Sequence, residues 1–373
     1  MKKICVLQNG LARGGTDTFV VNLCLNLDKT KYKVSVVNPS EKATSRVREK
    51  ELLENGIEII KTCECNNFVN KIKHLYRLYR VLKKRHFDVF HTNIDLFNGP
   101  NLFVAWLAGV PIRCCHSHNT KQQREIIYGR SITVKIYQKV MRWLCWTFSN
   151  RRIGCSADAM DFLFAGKPWR LEEYPKIISN GIDIGKFRKK IDVIHKKSEL
   201  NLNAKFNIIL IGNLIPQKNS IFAVDVFNKL CSMREDCDLV IVGDGVLRKS
   251  CERHLSKERN LTKTHFLGIR EDVNELLQCA DLFFLPSVFE GLGIVAIEAQ
   301  ATGLQCVLSD AFPKEVDCGG CLFVPLSEPV DVWANKISEL LDKEYEMLVD
   351  ESKIQKYSIS EMVKQMSEVF DYC

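Results

Sequence analysis

The stretch LFFLPSVFEGLGIVAIEAQATGLQCVLSD, Leu282–Asp310, decides how this chain is read. Leu282–Leu285 is a short apolar run closed by Pro286, the pattern of a buried strand. A loop with Glu290, Gly291, Leu292 and Gly293 follows. The spacing predicts a helix from about Ile294 that carries Glu298 and ends at Gly303, with Gln305–Leu308 as the next strand. A helix N-terminus after a tight turn presents free backbone N–H groups, which suit a phosphate, and the glycines let a ligand approach the backbone closely. Two carboxylates flanking such a turn suit a ligand with hydroxyls on both sides of a diphosphate. A nucleotide-sugar has that form, with a ribose diol on one side and hexose hydroxyls on the other. Taken alone, the same pattern also fits a helix start with a surface glutamate. Glu298 sits amid Val295, Ala296, Ile297 and Ala299, so it is either solvated at the helix edge or holding something.

Outward from this stretch, short apolar strands alternate with helical runs, which implies βαβ units and parallel sheets. The first set runs from Lys3 to about Gly181 and the second begins at Phe206. The fold class is α/β, with two Rossmann-like, doubly wound parallel-sheet domains. The chain of 373 residues has room for both. The expected boundaries are 1–185 for the first domain, 186–205 for a polar, lysine-rich linker and 206–356 for the second. A last helix, at about 357–373, returns to the first domain. No apolar run reaches the length of a membrane span. Met1-Lys2-Lys3 leads straight into a strand, not into a secretory leader, so the expected location is the cytoplasm.

The segment Leu282–Asp310 resembles the donor-site signature of the family 4 retaining glycosyltransferases, which have the GT-B fold. Further motifs resemble that family in the right order: QNGLARGGTDTFVVNL (Gln8–Leu23), RCCHSHN (Arg113–Asn119), IISNGIDIGKF (Ile177–Phe187), IGNLIPQKNS (Ile211–Ser220), LVIVGDG (Leu239–Gly245) and FLGIREDV (Phe266–Val273). The likeness is to the capsular and exopolysaccharide branch. It implies transfer of a hexosyl group, with retention, from a nucleoside diphosphate sugar (a UDP-sugar) to a glycan acceptor, lipid-linked in that branch. It implies no metal and no other cofactor.

By the same resemblance, Gly14 and Gly15 meet the donor phosphate or the acceptor, and His118 lies beside the donor sugar, with His116 as the alternative two residues earlier. Lys218 neutralises the leaving diphosphate, as lysine commonly does for phosphate. Gly268, Ile269 and Arg270 supply the backbone that contacts the nucleobase. Glu290 holds sugar hydroxyls, Gly291, Leu292 and Gly293 offer amides, and Glu298 holds the ribose. Asn213 departs from the pattern, because most members place an arginine there to share the work of Lys218. Preaimed positive dipoles at the leaving group are the main electrostatic lever for such chemistry. Three other readings compete. A sugar-nucleotide epimerase can share the fold, which does not fix function, and a non-catalytic sugar-nucleotide-binding protein would follow if Asn213 marks a decayed site. An NAD oxidoreductase would want G-x-G-x-x-G after the first strand, and Gly10–Gly15 reads GLARGG.

Charge is unevenly placed. Residues 1–185 hold 30 Lys and Arg against 16 Asp and Glu, and residues 186–373 hold 23 against 29. In Lys71–Arg85, Ile72, Leu75, Tyr79 and Leu82 recur at helical spacing, while Lys73, Arg77, Arg80 and Lys84 share another face. Arg130–Arg152 contains no acid, and Trp143, Trp146 and Phe148 lie near Lys135, Lys139 and Arg142. A basic helix with aromatic residues can lie on an anionic membrane, and it can also be a solvated helix face over an ordinary core. No nucleic-acid motif is present. Most of the 16 cysteines sit in apolar runs, where Cys is a small hydrophobe. Cys318–Cys321 is a lone CxxC, Cys114, Cys115, His116 and His118 crowd one strand, and Asp236-Cys237-Asp238 reads as a solvated loop. The sequence leaves the oligomeric state open.

Overall fold

The computed structural model describes residues 1–12, 14–43, 46–120, 131–171, 173–343 and 349–372. Arg13 of the GLARGG turn and Arg130 of the acid-free stretch lie outside the described residues. The contacts divide the chain into two compact units. The first contains, in order, β1 (Lys2–Leu7), α1 (Gly15–Asn26), β2 (Tyr32–Val37), α2 (Glu49–Glu54), β3 (Glu58–Ile60), α3 (Phe68–Arg85), β4 (Val89–Thr92), α4 (Asn98–Leu107), β5 (Ile112–Ser117), α5 (Ile132–Phe148), β6 (Arg151–Gly154) and α6 (Ala157–Leu163). Its sheet runs β3-β2-β1-β4-β5-β6, and every pairing is parallel. Alternate side chains of a strand leave on opposite faces, and β1 shows this directly. Ile4 and Val6 enter one layer with Phe19 and Leu23 of α1. Cys5 and Leu7 enter the other with Leu78 and Leu82 of α3 and Leu102 of α4.

The second unit contains α7 (Ile184–Arg188), α8 (Val193–Glu199), β7 (Phe206–Ile211), α9 (Ser220–Met233), β8 (Cys237–Val242), α10 (Arg248–Lys257), β9 (Thr264–Gly268), α11 (Val273–Gln278), β10 (Leu282–Leu285), α12 (Ile294–Ala301), β11 (Cys306–Ser309), β12 (Cys321–Val324), α13 (Val330–Leu341) and α14 (Glu351–Gln355). Its sheet runs β12-β11-β10-β7-β8-β9. Strands such as FNIILI and LFFL are almost wholly apolar, as a parallel sheet covered on both faces requires. Trp333 of α13 packs edge-on to Phe222 and tilted against Phe284, with ring centroids 5.6 and 5.8 Å away. The last helix, α15 (Ile359–Asp371), belongs to the first unit and buries Met362, Met366 and Phe370 in the α1 layer. In both sheets the winding direction reverses beside the first strand, between β1 and β4 and between β7 and β10. Ligands of doubly wound sheets bind outside the strand C-termini at that switch point.

Four expectations need correction. The first unit ends at Gly181, not at 185. The stretch 186–205 is no linker: α8 belongs to the second unit, and Lys196 reaches Asp272 at 2.8 Å and Glu275 at 3.0 Å. The Asp236-Cys237-Asp238 triplet opens β8, with Asp236 held by Arg234 at 2.7 Å and Asp238 bonded to His265 on β9 at 2.9 Å. On α3 the core face is His74, Leu78 and Leu82, while Ile72 is 52% exposed. A histidine can occupy that inward place because its ring nitrogens meet Thr62 at 2.7 Å and Asn101 at 2.9 Å. A buried polar group is tolerated when it is bonded.

Candidate active site

In the second unit the expected residues gather at the C-terminal edge of the sheet. After β7 the chain makes a short turn, Pro216–Lys218, and Lys218 reaches across to the loop after β10. Its Nζ donates to Glu290 Oε1 at 2.5 Å, and Ser287 Oγ donates to the same oxygen at 2.7 Å. The side chains are 16% and 7% exposed, so the pair is shielded from water. Two further bonds lock the loops: Val288 N to Gln217 O at 2.8 Å, and Ser309 Oγ to Ser287 O at 2.5 Å.

Gly293 immediately precedes α12 with φ 81°, and a Cβ there would lie 2.3 Å from Phe312 Cε1, so only glycine fits. A helix that starts this way leaves its first N–H groups without intrahelical acceptors. Leu292 is buried beneath the turn. Glu298, one turn into α12, is half-buried and has no hydrogen-bond partner among the described residues. Burial pushes its carboxyl up to about 7, and only Lys186 of α7 pulls it back.

The tips of β7, β8 and β9 press backbone against backbone. A Cβ on Gly243 would lie 2.1 Å from Gly212 O, and Gly243 N donates to Gly268 O at 2.7 Å. Asn213, beside Gly212, is exposed. Ile269 is exposed beyond the tip of β9. The Arg270 guanidinium is bonded to Asp272 at 2.6 and 2.8 Å, so its side chain is committed within the unit.

In the first unit Gly14 caps α1 and Gly15 begins it. The preceding turn is held by Asp17, which accepts from Gln8 Nε2 at 2.6 Å and from Ala12 N at 3.2 Å. His118 stands just beyond β5. Its Nε2 meets Asn93 Oδ1 at 2.9 Å, and an amide oxygen only accepts, so the proton sits on Nε2. The ring of His118 stacks on His116 with centroids 3.9 Å apart, and Phe19 packs on both. His116 is bonded to His91 at 3.2 Å inside the core. Burial holds His118 and His91 neutral, down to about 3, and lowers His116 well below the usual imidazole range. Among the described residues, no group of three or more His, Cys, Asp or Glu is placed to hold a metal ion.

Comparison with known proteins follows these two units. The family described as "Glycosyltransferase Family 4" matches residues 13–186, and "Glycosyl transferases group 1" matches residues 205–343. The chain belongs to the family 4 glycosyltransferases. The glycosyltransferase is 29% identical over 342 residues to the putative glycosyltransferase EpsF of Bacillus subtilis, covering 90% of this chain and 87% of that one. It is 29% identical over 259 residues to the Escherichia coli UDP-Gal:alpha-D-GlcNAc-diphosphoundecaprenol alpha-1,3-galactosyltransferase, covering 66% and 64% of the two chains. The crystal structure of Anabaena Alr3699/HepE in complex with UDP and glucose superposes with a TM-score of 0.82 over all of both chains, at 17% identity. That likeness establishes the fold, GT-B.

Several residues around this glycosyltransferase's candidate site are absent from the sequence reading. Ser287 and Ser309 support Glu290, and Asn93 orients His118. Asp95, a non-glycine residue at φ 46°, accepts from His118 N at 3.3 Å and from Asn119 Nδ2. All are short polar side chains at or just past strand ends, where sequence offers little beyond a loop signal.

Glu298 yields a prediction. Its carboxyl is raised in the folded state, so the folded protein binds this proton more tightly than the unfolded chain. The ionised group therefore costs stability as pH rises from about 4.5 to 7, by at most about 3 kcal/mol. Glu298→Gln is expected to melt with wild type near pH 4.5 and a few degrees above it at pH 8 in ligand-free protein. A gap in melting temperature that does not change with pH would contradict the unpaired, partly buried carboxylate.

Proposed function

We propose that this glycosyltransferase moves a hexosyl group from a UDP-sugar to a lipid-linked glycan in capsular or exopolysaccharide assembly, with retention at the anomeric carbon and without a metal ion. The observation that carries the reading is the shielded Lys218–Glu290 pair beside the glycine-capped start of α12. Before the donor arrives, Glu290 holds the Lys218 ammonium. A diphosphate brings more negative charge than a carboxylate, so it draws Lys218 toward itself and the α12 amides. Glu290, still fixed by Ser287, then accepts from sugar hydroxyls. As the C1–O bond breaks, charge develops on the leaving diphosphate, where these donors are already aimed. Positive character on the ring develops near the Glu290 carboxylate. Glu298, with no competing partner, is read as the acceptor for the ribose hydroxyls. Gly268 and the backbone of Ile269 and Arg270 are read as the nucleobase side, and Asn213 contributes a dipole where a second cation is usual. In the first unit, the neutral His118 is read as a neighbour of the donor sugar, and the Gly14–Gly15 turn as a contact of the donor phosphate or the acceptor. The lipid-linked acceptor follows the printed activity of the Escherichia coli relative.

The test is incubation with a panel of UDP-sugars in EDTA, with and without a lipid-diphosphate-sugar acceptor, reading the product by NMR. An α-linked product from an α-linked donor is expected, formed only with acceptor and undiminished by EDTA. An epimerised donor in the absence of acceptor would overturn the reading, and so would inversion or loss of turnover in EDTA.

A further inference from the structure

Helices α3, α4 and α5 form one layer on one side of the first sheet, with α4 packed against both of the others. A helix over a core normally turns a polar face to water. Helix α5 does not. Its inward side carries Gln138 and Cys145, and its outward side carries Ile132, Ile136, Val140 and Trp143 at helical spacing. Ile136 is 60% exposed and Trp143 is 55% exposed. The stripe continues onto α4: Phe148 packs against Trp143, Phe103 and Trp106, and Trp106 is itself half in solvent. On α3, Ile72 and Tyr76 also face outward. The charge carried by these helices is of one sign. The three helices contain ten Lys and Arg and no Asp or Glu, and Lys73, Arg80, Lys84, Lys135 and Lys139 are exposed. Arg77 is partly committed inward, donating to Thr62 O.

We propose that this face is a bilayer-docking surface, in which the α5 stripe and Trp106 enter the headgroup region of an anionic membrane and the α3 and α5 cations hold the phosphates. Apolar and aromatic residues on one face with lysine and arginine around them is the composition of interfacial helices, and tryptophan settles at the water–lipid boundary. A second copy of this chain fits less well, because the exposed lysines and arginines of this face would then meet their own copies across the contact. Among the described residues, no helix is long and apolar enough to cross a membrane, so attachment here lies in the plane of the surface. The inference is independent of the donor chemistry, since none of these residues belongs to the candidate active site.

The full chain is sedimented with vesicles of phosphatidylcholine alone and of phosphatidylcholine with phosphatidylglycerol. Binding to the anionic vesicles is expected, with tryptophan emission shifted to the blue and quenched by brominated acyl chains. The double variant Ile136→Asp and Trp143→Asp is expected to lose at least tenfold in partitioning while keeping its melting temperature and its turnover on a short water-soluble acceptor. Lys135→Gln with Lys139→Gln is expected to weaken binding to anionic vesicles only. Undiminished binding by the Ile136/Trp143 variant overturns the proposal. So does a wild-type protein that ignores vesicles, whether it remains monomeric or forms a dimer that the same variant disperses.

Discussion

Glu290→Gln lowers turnover by about 100-fold and leaves nucleoside diphosphate affinity unchanged or tighter. The first half follows from removing a charge aimed at the developing positive sugar, a change of the size seen when one preorganised electrostatic group is lost. The second half follows from the pair geometry. In the wild type, Lys218 sits 2.5 Å from Glu290 in a shielded site, and an incoming diphosphate must compete with that carboxylate for the ammonium. A glutamine keeps the shape and the Ser287 contact but holds Lys218 less strongly. Initial rates with saturating donor, together with calorimetric titration of UDP, test both halves. A variant that turns over normally, or whose turnover falls only because UDP no longer binds, contradicts the role given to Glu290.

The candidate site was legible in part because its core is local in sequence. Glu290, Gly293 and Glu298 lie within one strand–turn–helix, and Gly293 marks the start of α12 through its own backbone angle. The parallel sheets were legible from apolar runs of strand length. What could not be read depends on neighbours distant in the chain. The polar stretch 186–205 resembles a linker until Lys196 is seen beside Asp272 and Glu275. Asp238 lies in β8 and its side chain is bonded to His265, 27 positions away. On α3, Leu75, Tyr79 and Leu82 do pack against the core, but His74 was missed because Thr62 and Asn101 satisfy it, and Ile72 faces outward over what we read as a docking surface. Periodicity counts apolar residues. It registers neither a bonded polar residue in a core nor an apolar one kept outside for a membrane.

Lys218→Ala is the second large effect, and its signature is the reverse. Nucleoside diphosphate affinity falls by between tenfold and a few hundredfold, the worth of a charge-assisted hydrogen bond in a shielded site. The free variant also loses some stability, because the buried Glu290 carboxylate loses its ammonium partner. Calorimetry with UDP, alongside a thermal melt to confirm the fold, measures both. Asn213 sharpens the expectation. Asn213 brings a dipole and no charge, so no cationic help comes from that position. Unchanged UDP affinity in Lys218→Ala would remove this lysine from the diphosphate site.

The most direct test of the central claim is a crystal structure of the glycosyltransferase with UDP. The account predicts the diphosphate at the start of α12, Lys218 Nζ moved from Glu290 onto phosphate oxygens, and the ribose hydroxyls on Glu298. A diphosphate bound elsewhere, with the Lys218–Glu290 pair still closed, would contradict it.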